Sequence, residues 1–450
     1  MGTILIKNAK AVVCMDAADR VLENAGILVR DNYIAQVGPY DGAADEVIEA
    51  GHLVVYPGLI NTHHHLFQTF TRNLPPVQGL ELFDWLRALY RIWRRLTPDM
   101  VYYASLTGMG ELLKWGCTTC FDHHYVFPRG RSADLIDRQF QAAADLGIRF
   151  HASRGGMSRG ESDGGLPPDD LVQGTDEILA DSLRLIEKYH DPGRYAMRQV
   201  ALAPCSPFSV TGDLLVAAAS LARDRKVRLH THLAETRDEE QYCLARYGRR
   251  PLDYMEEAGW LGEDVWFAHG IHFNGEELVR LAATGTGVAH CPVSNLKLAS
   301  GTANLPRMLE LGVPVGLAVD GSASNDCSNL LAEIRAAYLA HRPAAGAPDG
   351  YSILKTATTG GARLLGRPDL GSIAPGQAAD LFAVDTRRLE FVGTGSDPRS
   401  LPAVVGVGGP VALTMVQGRI VVRHGELRTV DEARVVDAAN RLVEKLVREM

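Results

Sequence analysis

His63 and His65 stand two residues apart directly after an apolar run, Leu53 to Ile60, that contains Pro57-Gly58. On an extended strand residues i and i+2 share a face, so both imidazoles can reach one divalent cation while His64 points away. Later strand-like runs end in further reactive residues: His232 with Glu235 three positions on, His269 in Ala268-His269-Gly270, and Asp320 in Val319-Asp320-Gly321. His63, His65 and His232 would supply three neutral nitrogens and Asp320 one carboxylate oxygen. That set suits one Zn2+, with Fe2+ as the alternative, and leaves a position for water. A metal so held lowers the pKa of its water to roughly 7 and makes hydroxide available at neutral pH. The expected catalytic residues are Asp320 to take the water's proton, Glu235 to carry protons to a substrate nitrogen, and His269 to stabilise charge at the attacked carbon. The bland alternative, that each residue caps its own strand, has to be invoked four separate times.

Other histidines are expected to do less. His230 shares a face with His232 but reads as core, His123 and His124 could line a substrate pocket, and His290 in His290-Cys291-Pro292 reads as packing or support.

Residues so far apart need a scaffold that gathers strand ends. Between about Pro57 and Gly376, strands alternate with helical stretches such as Leu135 to Leu146, Leu214 to Arg223 and Glu276 to Ala283. Eight strands are expected: Val54 to Thr62, Thr118 to His123, Ile148 to Ser153, Val200 to Ala203, Val227 to His232, Val265 to His269, Gly287 to His290 and Val315 to Val319. An α/β fold of the closed (β/α)8, TIM-like kind is the economical solution, and its active site lies at the C-terminal strand ends. Short β-prone runs at both ends of the chain lack partners of their own. Residues 1–56 and 376–427 are therefore expected to form one small β-sandwich domain beside a barrel of residues 57–375, with an amphipathic helix over 428–450.

Composition narrows the function further. With 450 residues, 46% hydrophobic, the chain can bury a large core, and a net charge of -8 argues against a nucleic-acid surface. No apolar run approaches a membrane span. Seven cysteines make no disulfide framework, the start shows no apolar signal core, and a cytoplasmic setting is expected. The Met-Gly start has Ile6 where a myristoylation site wants Ser or Thr. Cys117-Thr-Thr-Cys120 sits in an apolar stretch without a second pair and reads as structural.

Over almost the whole chain these residues resemble the amidohydrolase superfamily. Pro57-Gly58-Leu59-Ile60-Asn61-Thr62-His63-His64-His65 is similar to its opening metal motif, and His232-Leu-Ala-Glu235-Thr236 to the H-x-x-E of its aromatic deaminases. Ala268-His269-Gly270 resembles their sixth-strand histidine, Asp320-Gly321-Ser322-Ala323-Ser324-Asn325 their metal aspartate loop, and Gly371 to Leu381 their return to the small β domain. The fourth strand ends Ala203-Pro204-Cys205-Ser206-Pro207-Phe208, without the lysine that binuclear members carbamylate. The resemblance therefore implies the mononuclear deaminase branch.

Asn61 to Arg72, Asp122 to Tyr125, Arg154 to Met157, Glu161 to Pro168, Ala201 to Val210 and Ala323 to Asp326 resemble segments of 8-oxoguanine deaminases. This implies a small-molecule partner, an oxidised purine, deaminated to urate, in an enzyme expected to be a homo-oligomer. Isoxanthopterin-like pterins and hydroxylated s-triazines are the alternatives, and guanine is less favoured because the fourth-strand arginine of guanine deaminases is missing. The resemblance makes Gln68 a reader of the purine edge, Arg154 a partner for a C8 carbonyl, and Cys205 a neighbour of the ring. On their own residues' evidence, Gln68 could equally start a helix facing water and Arg154 could pair with Glu161. Trp85 and Phe83 could cover the ring or pack a helix.

Overall fold

The apolar run before the histidines is two strands rather than the single one expected over Val54 to Thr62. A computed structural model describes residues 2–40, 42–130 and 134–448. In it Leu53–Pro57 pairs antiparallel with Leu381–Asp385, in a sheet built from both ends of the chain, whereas Leu59–Asn61 opens a separate parallel sheet. Gly58 is the crossing point. A Cβ there would lie 2.1 Å from Thr118 Oγ1, so only glycine lets the backbone pass from one sheet to the other.

The parallel sheet has eight strands in sequential order: Leu59–Asn61, Cys117–Asp122, Arg149–Gly156, Arg198–Pro204, Leu229–Leu233, Val265–His269, Gly287–His290 and Val315–Leu317. The last returns to the first, where Thr62 N–H donates to Leu317 O at 3.3 Å and Asp320 N–H to His63 O at 3.2 Å. Alternate side chains point inward, and Ile60, Phe121, Ala201, Trp266, Ala289 and Ala318 fill the interior. The opposite faces pack on helices in one large core that includes Phe150, Leu202, Phe267 and Val288. Both faces are thus dry, which is why these strands read as apolar runs.

The terminal sheet has nine strands with a core of their own, including Ile6, Val12, Ile27, Val55, Leu381 and Met415. The β-prone start of the chain is one strand, Thr3–Val13, with an irregular register between Ile6 and Ala9, where Asn8 takes φ +55°. Gln417-Gly418 and His424-Gly425 make the expected tight hairpin turns, with φ of +50° and +76°, and +55° and +78°. The last helix, Glu432–Val447, lies on Pro98–Lys114, where Lys114 Nζ pairs with Glu432 at 2.5 Å. Residue 1 and residues 449–450, at the ends of the expected terminal segments, lie outside the described residues. No helix among the described residues is long and apolar enough to cross a membrane.

Candidate active site

Three imidazoles converge at the C-terminal ends of the barrel strands, and their tautomers follow from their partners. His65 Nδ1 donates to His123 O at 2.6 Å and His232 Nδ1 to Cys205 O at 2.6 Å. His230 Nδ1 donates to Trp266 O at 2.9 Å, so its Nε2 accepts from His63 Nδ1 at 2.8 Å. A neutral imidazole has one N–H. Each of the three rings has spent it on Nδ1, and each therefore presents a bare Nε2.

Those bare nitrogens face one another and a carboxylate. His65 Nε2 and His232 Nε2 are 3.1 Å apart, and Asp320 Oδ1 lies 3.2 Å from His63 Nε2 and 3.3 Å from His65 Nε2. His63 Nε2 is buried with no hydrogen-bond partner. Acceptors packed this closely repel unless a cation joins them, and a second ring proton is disfavoured because burial holds His63 and His232 well below the usual histidine range. Ligand atoms at zinc distances of about 2.0–2.1 Å and tetrahedral angles lie about 3.3 Å apart. The donor set therefore fits a divalent ion. The Asp320 carboxylate is steadied from behind by hydrogen bonds. Ser294 Oγ at 2.5 Å and Ser324 Oγ at 3.1 Å donate to Oδ2, and Gly321 N–H to Oδ1 at 2.7 Å.

Beside this cradle lies a pocket. His65, His232, Glu235, His269 and Asp320 line its floor, while Leu82, Leu86, Phe208 and Leu298 give apolar walls. Glu235 Oε2 is 3.4 Å from His269 Nε2, and His269 Nδ1 donates to Asn295 Oδ1 at 2.9 Å. Burial, with Asp320 and Glu239 adding their charge, raises the Glu235 carboxyl well above its usual range. Ala234, His269 and Asp320 take φ of +54°, +75° and +60°. Such conformations cost of order 1–3 kcal/mol each and persist where surroundings hold them.

Gln68 and Cys205 both line the pocket. Gln68 is buried; its Nε2 is 3.4 Å from Tyr125 OH, while its Oε1 has no partner. It does not face water. Gly321 makes room for it, since a Cβ there would lie 1.9 Å from Gln68 Oε1. Burial pushes the Cys205 thiol up to about 12, so it stays neutral. Trp85 also lines the pocket with its indole N–H buried and unpartnered, whereas Phe83 packs on Phe208 at 4.9 Å.

Arg154 corrects the sequence reading. The third barrel strand runs on to Gly156 rather than ending at Ser153, and alternation turns Arg154 outward, away from the pocket. Its guanidinium pairs with Asp181 at 2.6 Å and Gln173 Oε1 at 2.9 Å and covers the Phe127 ring at 3.6 Å. Arg154 does not line the pocket, and Glu161 is not its partner. His123 and His124 likewise stay behind the pocket wall, their Nε2 atoms donating to Ala203 O at 2.8 Å and Val126 O at 2.9 Å. His123 Nδ1 is unpartnered, and a ligand atom of His123 lies within 4.8 Å of those of His63, His65 and His232, while His63, His269 and Asp320 form a second such group.

Two supporting residues escaped the sequence reading. Glu239, fully buried, accepts N–H bonds from Ala234 at 2.8 Å and Glu235 at 2.9 Å, fixing the turn that carries Glu235. Its signal was present as Thr236-x-x-Glu239, a capping-box spacing before the helix Arg237–Tyr247. Asp122, at the end of the second strand, accepts Leu66 N–H at 2.6 Å and holds the turn after His65.

Residues 54–421 match the amidohydrolase family. The 8-oxoguanine deaminase of Pseudomonas aeruginosa is 47% identical, covering 89% of this chain and 89% of its own. The hydroxydechloroatrazine ethylaminohydrolase of Pseudomonas sp. strain ADP is 44% identical over 99% of this chain and 96% of its own. Among solved structures, the atrazine chlorohydrolase TrzN of Arthrobacter aurescens TC1, complexed with zinc, superposes with a TM-score of 0.94 at 34% identity, covering 98% of this chain and 100% of that one.

Proposed function

The chain belongs to the amidohydrolase family, and from that premise we propose that it is a mononuclear zinc aminohydrolase converting 8-oxoguanine and water to urate and ammonia. The observation that carries the substrate reading is Gln68. It lines the same pocket as His65, and its carboxamide oxygen has no partner, so a purine N–H next to the reacting carbon can supply one. Trp85, whose indole N–H also lacks a partner, takes the role once expected of Arg154 and serves the C8 carbonyl. The 8-oxoguanine deaminase relative at 47% identity supports the same substrate, and the zinc-complexed neighbour supports the metal.

A divalent ion in the cradle supplies the Lewis acidity that brings water close to ionisation at neutral pH. Glu235, kept protonated by its burial, gives a proton to the ring nitrogen beside the amino-bearing carbon and then relays one from water to the departing amine. Asp320 takes the water's first proton on a carboxylate that two serine hydroxyls and a backbone N–H already steady. His269, oriented by Asn295 through Nδ1, presents a bare Nε2 that can accept a hydrogen bond from the attacking hydroxyl. The apolar walls exclude bulk water.

A hydroxylated s-triazine is the second reading, favoured by the triazine-processing relative that matches 99% of the chain. Steady-state assays of the metal-loaded protein on 8-oxoguanine, isoxanthopterin, hydroxydechloroatrazine and guanine separate the two. We expect 8-oxoguanine to have the highest kcat/KM, with urate and ammonia formed in equal amounts. Absence of 8-oxoguanine turnover overturns the proposal, and a higher kcat/KM on the triazine selects the second reading.

A further inference from the structure

A second cavity, of about 220 Å3, opens at the opposite end of the barrel, where the strands begin. Its polar wall is His151, His190, Gln199, Lys226 and Arg228, with Trp266 beneath, and no acidic residue lines it among the described residues. His151 is only 4% exposed, and burial, reinforced by Arg367 and Arg149, keeps it neutral. Its Nε2 lies 3.1 Å from Arg367 Nη1. A guanidinium can only donate, so Nε2 accepts and the ring proton sits on Nδ1. That N–H has no partner among the described residues. His190 Nδ1 accepts Val200 N–H at 3.2 Å, which places the neutral ring's proton on Nε2. Both imidazoles therefore offer donors.

The two cations of the wall are equally uncommitted. Arg228 uses Nη1 on Glu263 O at 2.5 Å, and no carboxylate pairs with it among the described residues. Nearby Asp264 is taken by Arg223 at 3.2 Å. Gly366, at φ +65°, lets the guanidinium lie against the backbone, since a Cβ there would fall 2.4 Å from Arg228 Nε. Lys226 Nζ has no ion-pair partner among the described residues either, although it sits in a chain of net charge -8. Arg149 and Arg367, just behind the wall, are by contrast paired with Asp380 at 3.1 Å and Asp369 at 2.8 Å.

A cavity rich in N–H donors and poor in acceptors selects a ligand of the opposite kind. We propose that it binds one small oxyanion per chain, a phosphate or a carboxylate, held by Arg228, Lys226 and the His151 and His190 N–H groups. The site is separate from the substrate pocket, on the far side of the barrel core.

Isothermal titration of the metal-loaded protein with inorganic phosphate, with acetate and with chloride, at constant ionic strength, tests this. We expect saturable binding of phosphate, acetate or both at one per chain, and none of chloride. Charge-assisted bonds of this kind are worth about 1.5–3 kcal/mol, so Arg228→Gln should weaken binding about tenfold or more while leaving kcat/KM unchanged. Lys226→Gln, at an exposed helix end, should weaken it about threefold and keeps the test open should the arginine variant not fold. Phosphate-only or acetate-only binding that these substitutions weaken supports the site and identifies its ligand. No saturable binding, or binding that neither substitution weakens, overturns it, the latter because the anion would then sit elsewhere, as on the metal.

Discussion

Glu235 must hold a proton at neutral pH and move it, and the burial that raises its carboxyl makes this possible. Glu235→Gln is expected to bind metal normally and to lose about 100- to 10,000-fold in kcat; unchanged turnover would refute the shuttle. His230 is the residue whose importance grew most. Because its Nε2 takes the His63 proton, it leaves the opposite His63 nitrogen bare. Loss of such a supporting partner costs about 10- to 100-fold in metal affinity, so His230→Phe should show that drop in a competition titration with a chelator. Equal affinity would mean His63 needs no help. Arg154→Leu should lower the melting temperature, since it removes a buried guanidinium from Asp181, Gln173 and Phe127, yet leave KM unchanged in whatever protein folds. A large KM increase would restore the arginine to the pocket.

At the scale of elements, the helix Arg237–Tyr247 is as much a part of the site as the strand before it. Thr236 caps it, accepting Glu239 N–H at 3.3 Å, and the Glu239 carboxylate reaches back to the turn holding Glu235. Glu239→Ala is expected to lower kcat at least about tenfold with metal content unchanged, because two buried N–H groups lose their acceptor and Glu235 drifts. A variant with normal kcat would show that the turn holds itself. Barrel strands were legible in the sequence because strands buried on both faces read as apolar runs, and the ligand residues because they interrupt those runs with polar side chains. Strand ends were less legible. Arg154 was misread because Gly155 and Gly156 suggested a loop where the strand continues. Glu239 was overlooked because a glutamate three residues after a threonine ordinarily closes only its own cap. Asp181 and Asn295, partners far along the chain, leave no local signal at all.

Over the whole molecule, buried carboxyls set the response to pH. Burial pushes Glu239 up to about 7, and Glu333 up to about 8, against an ordinary value of 4.5. Both bind their protons more tightly folded than unfolded. Their stabilising contribution is therefore complete below about 4.5 and disappears as pH rises through 7 to 8. Melting temperature should fall as pH rises from about 5 to 8, and fall less in Glu333→Gln; a flat profile would show that these groups are already ionised in the folded chain. At the barrel's upper end His65 Nε2 lies within 3.3 Å of both His232 Nε2 and Asp320 Oδ1, and His63 Nε2 faces the same carboxylate. Titrating metal-free protein with zinc while following urate release from 8-oxoguanine tests whether one ion there suffices. No turnover without metal is expected, and a linear rise that breaks at one zinc per chain. A break at two, or urate formed without metal, would contradict a one-ion site.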